Sequence, residues 1–397
     1  MNNGIYITER VYPLNNGGTL HDNGNCEFLS KLLHLSVYSY VTDDEEARIE
    51  RDELSTDSIK YNPFFRCNTV KKYTLLSKIR LIDDINVDML EAILKEIRDS
   101  KAKIVFFTLK MSLYYQLIAK RIPELRYIYI SHNCEFKNID DDINNFDLTN
   151  NVGIFHHFSK MMRSHFFKSQ ERCMIKNAYR VFSISENDSD ILAKHCGVER
   201  DKFILCKPMI RFSSIDNNNR WKQNNYSLLI VGNMSWYPTC EGTEWFIKNV
   251  FPDIVSEFPE LKLYVVGGGV PDRIKELGNK NKNIIVTGYV DSLDDYYLNC
   301  DIAIVPIFSG TGAKIKVLEG TAKSIPLVIS DYAAKDYLGI EDSVLTARDK
   351  DEFVSKITHL LKDDMLRKGC TEKERKFYGE YMCDNVPVRN CIEQLLR

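Results

Sequence analysis

The strongest constraint on the fold of this chain is the regular alternation of short apolar runs with longer amphipathic stretches. Near-continuous apolar runs are typical of parallel strands that are buried on both faces. Amphipathic stretches with helical spacing supply the helices that cover such a sheet. In the first half we predict strands at residues 4–8, 35–41, 104–108, 127–130, 180–183 and 203–205, and helices at 25–33, 87–99, 112–121 and 158–178.

This alternation of apolar and amphipathic segments is interrupted once and then resumes. Residues 211–225 are polar, rich in asparagine and without periodicity, which is typical of an exposed connector. The fold class that follows is α/β, with two doubly wound, Rossmann-like domains at 1–210 and 227–373, a linker at 211–226 and an interdomain cleft. Beyond the linker we predict strands at 227–231, 261–266, 283–287, 302–305 and 327–329, and helices at 241–258, 272–277, 293–299 and 313–323.

Length, charge and cysteine content narrow the classes of function. The 397 residues suit two domains at roughly 150 residues each. A net charge of −3 argues against a protein that grips nucleic acid with its whole surface, so we predict no nucleic-acid partner. The 11 cysteines include no C-x-x-C pair, and the first residues lack the apolar core of a signal peptide. No apolar run approaches the roughly 18 residues of a membrane span, so we expect a cytoplasmic protein with reduced thiols.

Two segments fit neither predicted domain core. Residues 138–151 are acidic and rich in asparagine, and we predict a mobile loop there. Residues 154–180 carry an excess of lysine and arginine, interleaved with phenylalanine and methionine. This second segment is either a long surface helix with a solvated basic face or a patch for an anionic membrane surface. Any membrane contact is expected to be peripheral and to involve 154–180.

The strongest local motif is S-G-T-G-A-K-I-K-V-L-E at residues 309–319, just after the predicted strand 302–305. Two glycines within four residues let the backbone approach a ligand closely, and the following helix directs its free N–H groups at an anion. At about 100° per residue, Gly312, Lys316 and Glu319 share one helix face. Because Lys314 adds a second cation, the grouping suits a diphosphate with the hydroxyls of a ribose. The alternative is a glycine-capped surface helix with an ordinary Lys316–Glu319 ion pair.

Together with the residues that follow it, G-T-A-K-S-I-P-L-V-I-S, this motif resembles the donor-nucleotide segment of GT-B glycosyltransferases, specifically the retaining, group 1 type of family four. That family usually has two glutamates separated by seven residues. The second matches Glu319, which the resemblance places on the ribose hydroxyls, whereas the first falls at Thr311. The chain is similar instead to the subset with S-G-T-x-x-K-I-K. Because the family's first glutamate contacts the donor sugar, this departure bears on how the sugar is recognised.

Three further segments match the same family in the expected order. They resemble the first loop of the nucleotide domain (L-L-I-V-G-N-M-S-W-Y-P, 228–238), a strand-end glycine turn (V-V-G-G-G, 265–269) and the loop that frames the base (T-G-Y-V-D-S-L-D-D-Y-Y, 287–297). The resemblance implies that these loops and the 309–319 motif bind the nucleotide-sugar donor. The implied donor-binding residues are Gly232, Asn233, Met234, Ser235, Tyr289, Val290, Ser309, Gly310, Thr311, Gly312 and Glu319.

The N-terminal half carries fewer matches. P-L-N-N-G-G-T-L-H-D-N-G at 13–24 resembles the family's glycine-rich acceptor loop, with Gly17 and Gly18 at the motif positions. A plain turn between a strand and a helix explains the same residues equally well. The resemblance also implies that the C-terminal helix, residues 374–397, packs back on the N-terminal domain.

One histidine and one glutamate stand close to the end of the predicted strand 127–130. The resemblance makes His132 the histidine that lies near the transferred sugar. A lone histidine is more often a structural residue, but a position at the carboxyl end of a strand favours function. Glu135 either binds the acceptor or simply begins the acidic loop.

The resemblance implies glycosyl transfer from a UDP- or GDP-sugar to a hydroxyl of a glycan, lipid-linked or protein acceptor, with retention of configuration. The expected setting is the synthesis of a surface polysaccharide or glycoconjugate. The departing nucleoside diphosphate gains negative charge, which a helix N-terminus with Lys314 and Lys316 would stabilise, and with His132 these lysines are the predicted catalytic residues. No Asp-x-Asp motif stands in a suitable strand-end loop, so we predict metal-independent transfer without a cofactor.

Two other classes of function stay open at this point. A GT-B epimerase or phosphorylase would use the same fold, although the sequence offers no evident groups around a sugar ring and no evident cofactor lysine. A non-catalytic GT-B partner that binds glycans or stabilises an enzyme is the other alternative. Thr311 in place of a glutamate favours such a partner, whereas Lys314, Lys316 and Glu319 together favour an enzyme.

Overall fold

The computed structural model describes residues 2–14, 16–66, 85–144, 151–213 and 225–397. The chain divides into two compact units, of which the first comprises Met1–Ile210 and Asn385–Arg397 and the second Arg211–Asp384. The chain therefore returns to the first unit later than the expected residue 374. Most of the predicted linker, residues 214–224, lies outside the described residues.

The first unit is built on a seven-stranded sheet with the order β3-β2-β1-β4-β5-β6-β7. Every neighbouring pair is parallel. The chain direction across the sheet reverses between β1 and β4, which is where a doubly wound sheet opens a crevice for ligands. The strands are β1 (Asn2–Ile7), β2 (Leu33–Val41), β3 (Ile59–Phe65), β4 (Ile104–Thr108), β5 (Tyr127–Ser131), β6 (Arg180–Ser183) and β7 (Phe203–Leu205).

Helices cover both faces of this sheet and bury two apolar layers. Ile93 and Ile175 belong to the layer on one face, and Phe28 and Ile392 to the layer on the other. Ile392 comes from the C-terminal helix, which therefore packs on the first unit. The helices before β7 are α1 (Gly17–Leu29), α2 (Asp44–Arg48), α3 (Val87–Ser100), α4 (Ser112–Arg121), α5 (Glu135–Asn144), α6 (Asn151–Asn177) and α7 (Glu186–Cys196).

The second unit is a parallel six-stranded sheet with the order β10-β9-β8-β11-β12-β13, so its crevice lies between β8 and β11. Its strands are β8 (Ser227–Val231), β9 (Lys262–Val266), β10 (Ile284–Gly288), β11 (Ile302–Val305), β12 (Leu327–Ser330) and β13 (Leu345–Ala347). The remaining helices are α8 (Tyr237–Trp245), α9 (Phe251–Glu257), α10 (Asp272–Lys280), α11 (Asp294–Asn299), α12 (Ile315–Lys323), α13 (Asp331–Ala334), α14 (Lys350–Lys362), α15 (Asp364–Cys383) and α16 (Val386–Leu396). The predicted class, two doubly wound α/β domains, is confirmed.

The helix predicted at 241–258 is present but interrupted. A π-helical turn, Phe246–Val250, separates α8 from α9. Pro252 stands in the first turn of α9 and has no N–H to donate to the preceding turn, so an unbroken α-helix cannot run through it.

The mobile loop predicted at 138–151 is wrong for its first part, because α5 covers Glu135–Asn144; residues 145–150 lie outside the described residues. Tertiary contacts hold this acidic helix in place. The Phe136 ring stacks on His195 with 4.1 Å between centroids, and Asp140 accepts a 2.5 Å hydrogen bond from the Ser164 hydroxyl. Composition predicts a loop because it does not register such contacts.

Two further observations concern the cysteines and the helices. The ten cysteines in the described ranges are all free, and Cys67 lies outside those ranges. No helix in the part of the chain that the structure describes combines the length and the apolarity that crossing a bilayer needs.

Candidate functional site

Two loops of the second unit are joined through their backbones at the carboxyl edge of the sheet. The loop after β8 donates two hydrogen bonds to the end of β9 and the loop that follows it, from Gly232 N to Val266 O (3.0 Å) and from Met234 N to Gly268 O (2.9 Å). Gly267 has φ +142°, and a Cβ there would lie 1.9 Å from Gly232 O. Only glycine allows this approach, so the sequence V-G-G-G fixes the shape of both loops.

The glycine loop after β11 lies against the loop after β8, at the crevice of the second sheet. Gly310 and Gly312 have φ values of +86° and +78°. A Cβ on Gly310 would lie 2.8 Å from Pro238 Cγ and 2.9 Å from Trp236 Cζ2. Both glycines therefore do what the motif predicts, because they permit a left-handed backbone in a crowded place. The loop is also more buried than the motif suggests, since Thr311 is only 4% exposed.

Lys314 stabilises the glycine loop after β11 through hydrogen bonds to its carbonyl groups. Its Nζ donates hydrogen bonds to the carbonyl oxygens of Gly310 (3.1 Å) and Gly312 (2.8 Å), and it lies 3.1 Å from Asp336 Oδ2. The Tyr332 hydroxyl donates a third bond to Gly310 O at 2.6 Å. The expected picture of Lys314 as a second cation aimed at a phosphate needs correction, because its ammonium is buried and its charge is paired with Asp336. A catalytic role for Lys314 stays a prediction.

Lys316 is the cation at the start of α12 that keeps contact with solvent. Its side chain is 34% exposed, and its Nζ lies 2.8 Å from Oε2 of Glu319, whose side chain is 8% exposed. Burial, followed by the charge of Glu319 and a hydrogen bond to it, raises the pKa of Tyr297 well above its usual value. Tyr297 therefore stays protonated and can donate to Glu319. The Lys316–Glu319 ion pair that the sequence suggested is present, and it orients the Glu319 carboxylate in the middle of α12.

The other predicted donor residues lie at the same carboxyl edge. Asn233 accepts a 2.9 Å hydrogen bond from Ser235 N through its side chain, which shapes the loop after β8. Ser309 Oγ donates to Glu241 Oε2 at 3.4 Å. Tyr289, just after β10, is 70% exposed, and Val290 beside it is partly buried. These residues come together because β10, β9, β8 and β11 are neighbours in the sheet and end at one edge.

A buried carboxylate in the first unit gathers three hydrogen-bond donors. Asp22, in α1, accepts from the Tyr6 hydroxyl at 2.6 Å and from the Thr8 hydroxyl at 2.5 Å. His132 Nε2 lies 2.7 Å from Asp22 Oδ1. The histidine that the sequence singles out is thus oriented by an aspartate from a helix far away in the chain.

The electrostatics of this cluster favour an ion pair. Burial raises the pKa of Asp22, but the charge of His132 and the bond to it outweigh burial and lower that pKa overall. Burial alone would lower the pKa of His132, but Asp22, and to a smaller extent Glu135, raise it. His21 is neutral, because burial and the charge of His132 lower its pKa to about 3.

His21, Asp22 and His132 also form a group whose potential metal-ligand atoms lie within 4.8 Å of one another, among the residues that could be searched. Both carboxylate oxygens of Asp22 already accept hydrogen bonds from neighbouring side chains. A metal ion that used both His132 Nε2 and Asp22 Oδ1 as ligands would replace the 2.7 Å hydrogen bond between these atoms, so the arrangement as it stands is a hydrogen-bonded ion pair.

The predicted acceptor loop is shorter than expected, because helix α1 begins at Gly17. Asn16 caps that helix by accepting from Gly18 N (3.0 Å) and Thr19 N (3.1 Å), so Gly17 and Gly18 form its first turn. The prediction of a loop over 13–24 and a helix from 25 is therefore wrong from residue 17 onward. Glu135 begins α5 and is partly buried.

Sequence reasoning missed His21, Asp22 and Asp336. The signal for the first two is a pair of polar residues that follows the glycine pair by one helical turn, on a helix face that has to be buried against the sheet. No local pattern marks Asp336, because its partner Lys314 lies 22 positions earlier.

The basic segment 154–180 is α6 together with the start of β6. Met161 and Met162 are 50% and 42% exposed, whereas Met174 and Ile175 are buried in the core of the first unit. Part of the apolar content of this segment is therefore explained by packing on the sheet.

Two doubly wound domains with glycine-rich loops at the strand ends are the architecture that a protein of the GT-B class requires. Residues 225–363 match the family model described as "Glycosyl transferases group 1". The match covers most of the second unit, which is therefore similar to a group 1 glycosyltransferase domain, and the expected GT-B fold is confirmed by the solved structures described next.

One curated relative matches most of the chain, and solved structures of other proteins share its fold. A curated relative, described as an "Uncharacterized 44.6 kDa protein in cps region" of Klebsiella pneumoniae, is 22% identical over 349 residues, 83% of each chain. HepE of Anabaena in complex with UDP and glucose has a TM-score of 0.66 at 12% identity, over 100% of this chain and 99% of its own. WaaG, a glycosyltransferase involved in lipopolysaccharide biosynthesis, has a TM-score of 0.64 at 14% identity, over 98% and 99%.

Proposed function

We propose that this protein transfers a glycosyl group from a UDP- or GDP-sugar to a hydroxyl of a glycan, lipid-linked or protein acceptor. The observation that carries the proposal is the loop of Gly310 and Gly312, fastened by Lys314 at the crevice between β8 and β11, where α12 begins. The complex of HepE with UDP and glucose supports a UDP-sugar as the donor. The relative from a cps region and the likeness to WaaG support a role in surface polysaccharide or glycoconjugate synthesis.

The chemistry proposed for the donor side is electrostatic. When the bond to the anomeric carbon breaks, the nucleoside diphosphate gains negative charge and the sugar gains oxocarbenium character. The start of α12 and the Lys316 ammonium would stabilise the departing charge, while Lys314 keeps the glycine loop in shape. When Lys316 turns from Glu319 towards the diphosphate, the Glu319 carboxylate would accept hydrogen bonds from the ribose hydroxyls.

In the same proposal, no metal ion or cofactor takes part and the anomeric configuration is retained. His132, held by Asp22, would lie near the transferred sugar, and Gly17, Gly18 and Glu135 would contact the acceptor. A cytoplasmic location with peripheral membrane contact through 154–180 fits an acceptor that is linked to lipid.

Nucleotide release from a panel of UDP- and GDP-sugars, with and without EDTA, tests the donor and the metal independence together. We expect release of one nucleotide that is unchanged by EDTA. Lys316→Ala should lower this release at least tenfold without unfolding the protein, because a partly exposed lysine at a helix start contributes little packing. Lys368→Ala is the matched control, since it removes one exposed lysine from α15 of the same unit.

If the protein is instead a non-catalytic partner, we expect the opposite result in the nucleotide-release assay. Such a protein would release no nucleotide from any donor and would bind neither UDP nor GDP. Normal turnover by the Lys316→Ala variant would leave the transferase in place but remove Lys316 from its mechanism.

A further inference from the structure

A basic depression lies at the amino edge of the first sheet, away from the loops described above. Its volume is about 700 Å³. Lys103 directly precedes β4 and Arg126 directly precedes β5, whereas His132 follows the other end of β5. Because a five-residue strand spans about 15 Å, the depression is separate from the cluster of His132 and Asp22. The cationic side chains that line it are Arg98, Lys101, Lys103, Arg121, Arg126 and Arg397.

The charge of this depression is a local feature. Glu124 is the acidic residue among its lining, against six cations, although the whole chain carries a net charge of −3. Arg121 lies 3.6 Å from Glu91, and the Arg126 guanidinium lies over the Tyr179 ring at 5.3 Å. Among the residues that the structure describes, no ion pair within 4.0 Å joins Arg98, Lys101 or Lys103 to a carboxylate. Like charges that line one depression repel one another, and a bound anion would relieve that repulsion.

The floor of the depression indicates the kind of anion. It is aliphatic, with Ile97 and Ala102 buried and Leu125 partly buried. No aromatic side chain is among the residues that line it, so it lacks the platform on which a nucleotide base or a sugar ring usually stacks. Arginine forks and lysine ammonium groups suit oxyanions, and phosphate above all.

The backbone conformation of Lys101 also supports an anion-binding site. Lys101 ends α3 with φ 51° and ψ 37°, a left-handed conformation that glycine ordinarily takes at this position of a helix. A residue with a Cβ is disfavoured there, and strain of this kind collects at functional positions. The strained residue is one of the cations that line the depression.

We propose that this depression binds a ligand that carries at least two phosphate charges, in addition to and apart from any nucleotide sugar. The ligand is either a soluble phosphorylated molecule or the phosphate headgroups of a membrane surface. Both sources present the same chemistry to the same six cations, and they can be separated by experiment.

Calorimetric titration of the full chain with inorganic pyrophosphate tests the site. We expect the double variant Arg98→Gln/Arg121→Gln to weaken binding at the depression at least tenfold, and the loss to shrink as salt rises. Lys31→Gln/Lys60→Gln removes the same charge from exposed positions elsewhere in the first unit and should bind as the wild type does. Lys316→Gln changes only the proposed donor site, so pyrophosphate binding that depends on Lys316 alone would overturn the proposal while leaving the proposed function intact.

Lys101→Gly gives a test that is independent of damage to the fold. Glycine suits a left-handed residue, so the variant should melt at the same temperature as the wild type or higher. It should nevertheless bind pyrophosphate several-fold more weakly, because a cation is lost. Unchanged binding by both this variant and the arginine double variant would contradict the proposal.

Sedimentation with vesicles identifies the source of the phosphate. Vesicles of phosphatidylglycerol in phosphatidylcholine should retain the wild-type protein more than phosphatidylcholine alone if headgroups are the ligand, and the arginine double variant should lose this retention. Binding of pyrophosphate without vesicle retention assigns the site to a soluble ligand. If neither probe binds, or if both bind the double variant as they bind the wild type, the proposal fails.

Discussion

The two units build their candidate sites from different materials. In the second unit the site is mostly backbone: glycines with positive φ let two loops meet, and a buried lysine ties down their carbonyl groups. In the first unit it is mostly side chains: Tyr6, Thr8 and His132 converge on Asp22. Glycines close together in the chain leave a visible sequence motif, whereas a network of distant side chains leaves none. The difference explains why the glycine loops of the second unit can be recognised in the sequence, whereas Asp22 cannot.

The largest effect on stability is expected where the second unit depends on backbone contact. Gly267→Ala would place a Cβ 1.9 Å from Gly232 O at a φ of +142°. Since neither backbone segment can move away cheaply, we expect the free energy of unfolding of this unit to fall by about 4 kcal/mol, measured by denaturant titration.

Gly369→Ala is the control for that prediction. Gly369 lies in α15 and nothing within 4 Å would meet a new Cβ, so the change should stabilise by about 0.5–1 kcal/mol. Equal tolerance of both substitutions would show that the second unit does not depend on the close backbone contact at Gly267.

The next effect concerns a buried carboxyl of the first unit. Glu50 accepts a 2.6 Å hydrogen bond from the Ser39 hydroxyl, and burial raises its pKa to about 7. A carboxyl whose pKa is raised by folding binds its proton more tightly in the folded state, so stability falls as pH rises from about 4.5 to 7. Glu50→Gln keeps this site neutral and should gain about 3 kcal/mol over the wild type at pH 8, but little at pH 4.

Thermal melts at pH 4, 6 and 8 measure that gain. Glu53→Gln is the matched control, because the Glu53 side chain is 54% exposed in its pair with Arg48. A gain at pH 8 that is the same for both variants would show that the effect is one of net charge and not of the buried carboxyl.

A smaller effect is expected at the ion pair of the first unit. Asp22→Asn should lower the free energy of unfolding by about 2 kcal/mol, because a buried ion pair is lost. It should also lower the pKa of His132, which NMR titration of the imidazole measures directly. The contribution of Asp22 is lost as pH falls through its lowered pKa, and that of His132 as pH rises through its raised pKa. The difference from the wild type should therefore be largest between the ordinary values of 3.8 and 6.5. An unchanged imidazole titration would mean that Asp22 does not set the charge of His132.

The smallest effect on stability is expected for Lys316→Ala, although its effect on nucleotide release should be large. The Lys316–Glu319 pair is partly exposed, and pairs of this kind contribute about 0–1 kcal/mol. A melting temperature within a few degrees of the wild type, together with lost release, would sharpen the comparison. A large loss of stability would make the pair structural.

How far the fold can be predicted depends on where an element gets its stability. Central strands such as Ser227–Val231 and Ile302–Val305 have the predicted bounds. Burial of their apolar runs stabilises these strands, and such runs are visible in the local sequence. The sequence does not reveal the edge strands β3 and β13: Pro63 interrupts the first, and the second, Leu345–Ala347, contains only one large apolar residue. The acidic helix α5 was missed because contacts with α6 and α7 stabilise it.

Direct binding of a nucleoside diphosphate is the sharpest test of the donor loop. Calorimetric titration should show that UDP or GDP binds the wild-type protein, and that Glu319→Ala weakens this binding at least tenfold while its melting temperature stays within a few degrees. If neither nucleotide binds, or if Glu319→Ala binds as tightly as the wild type and only melts earlier, the glycine loop and α12 do not form a nucleotide site.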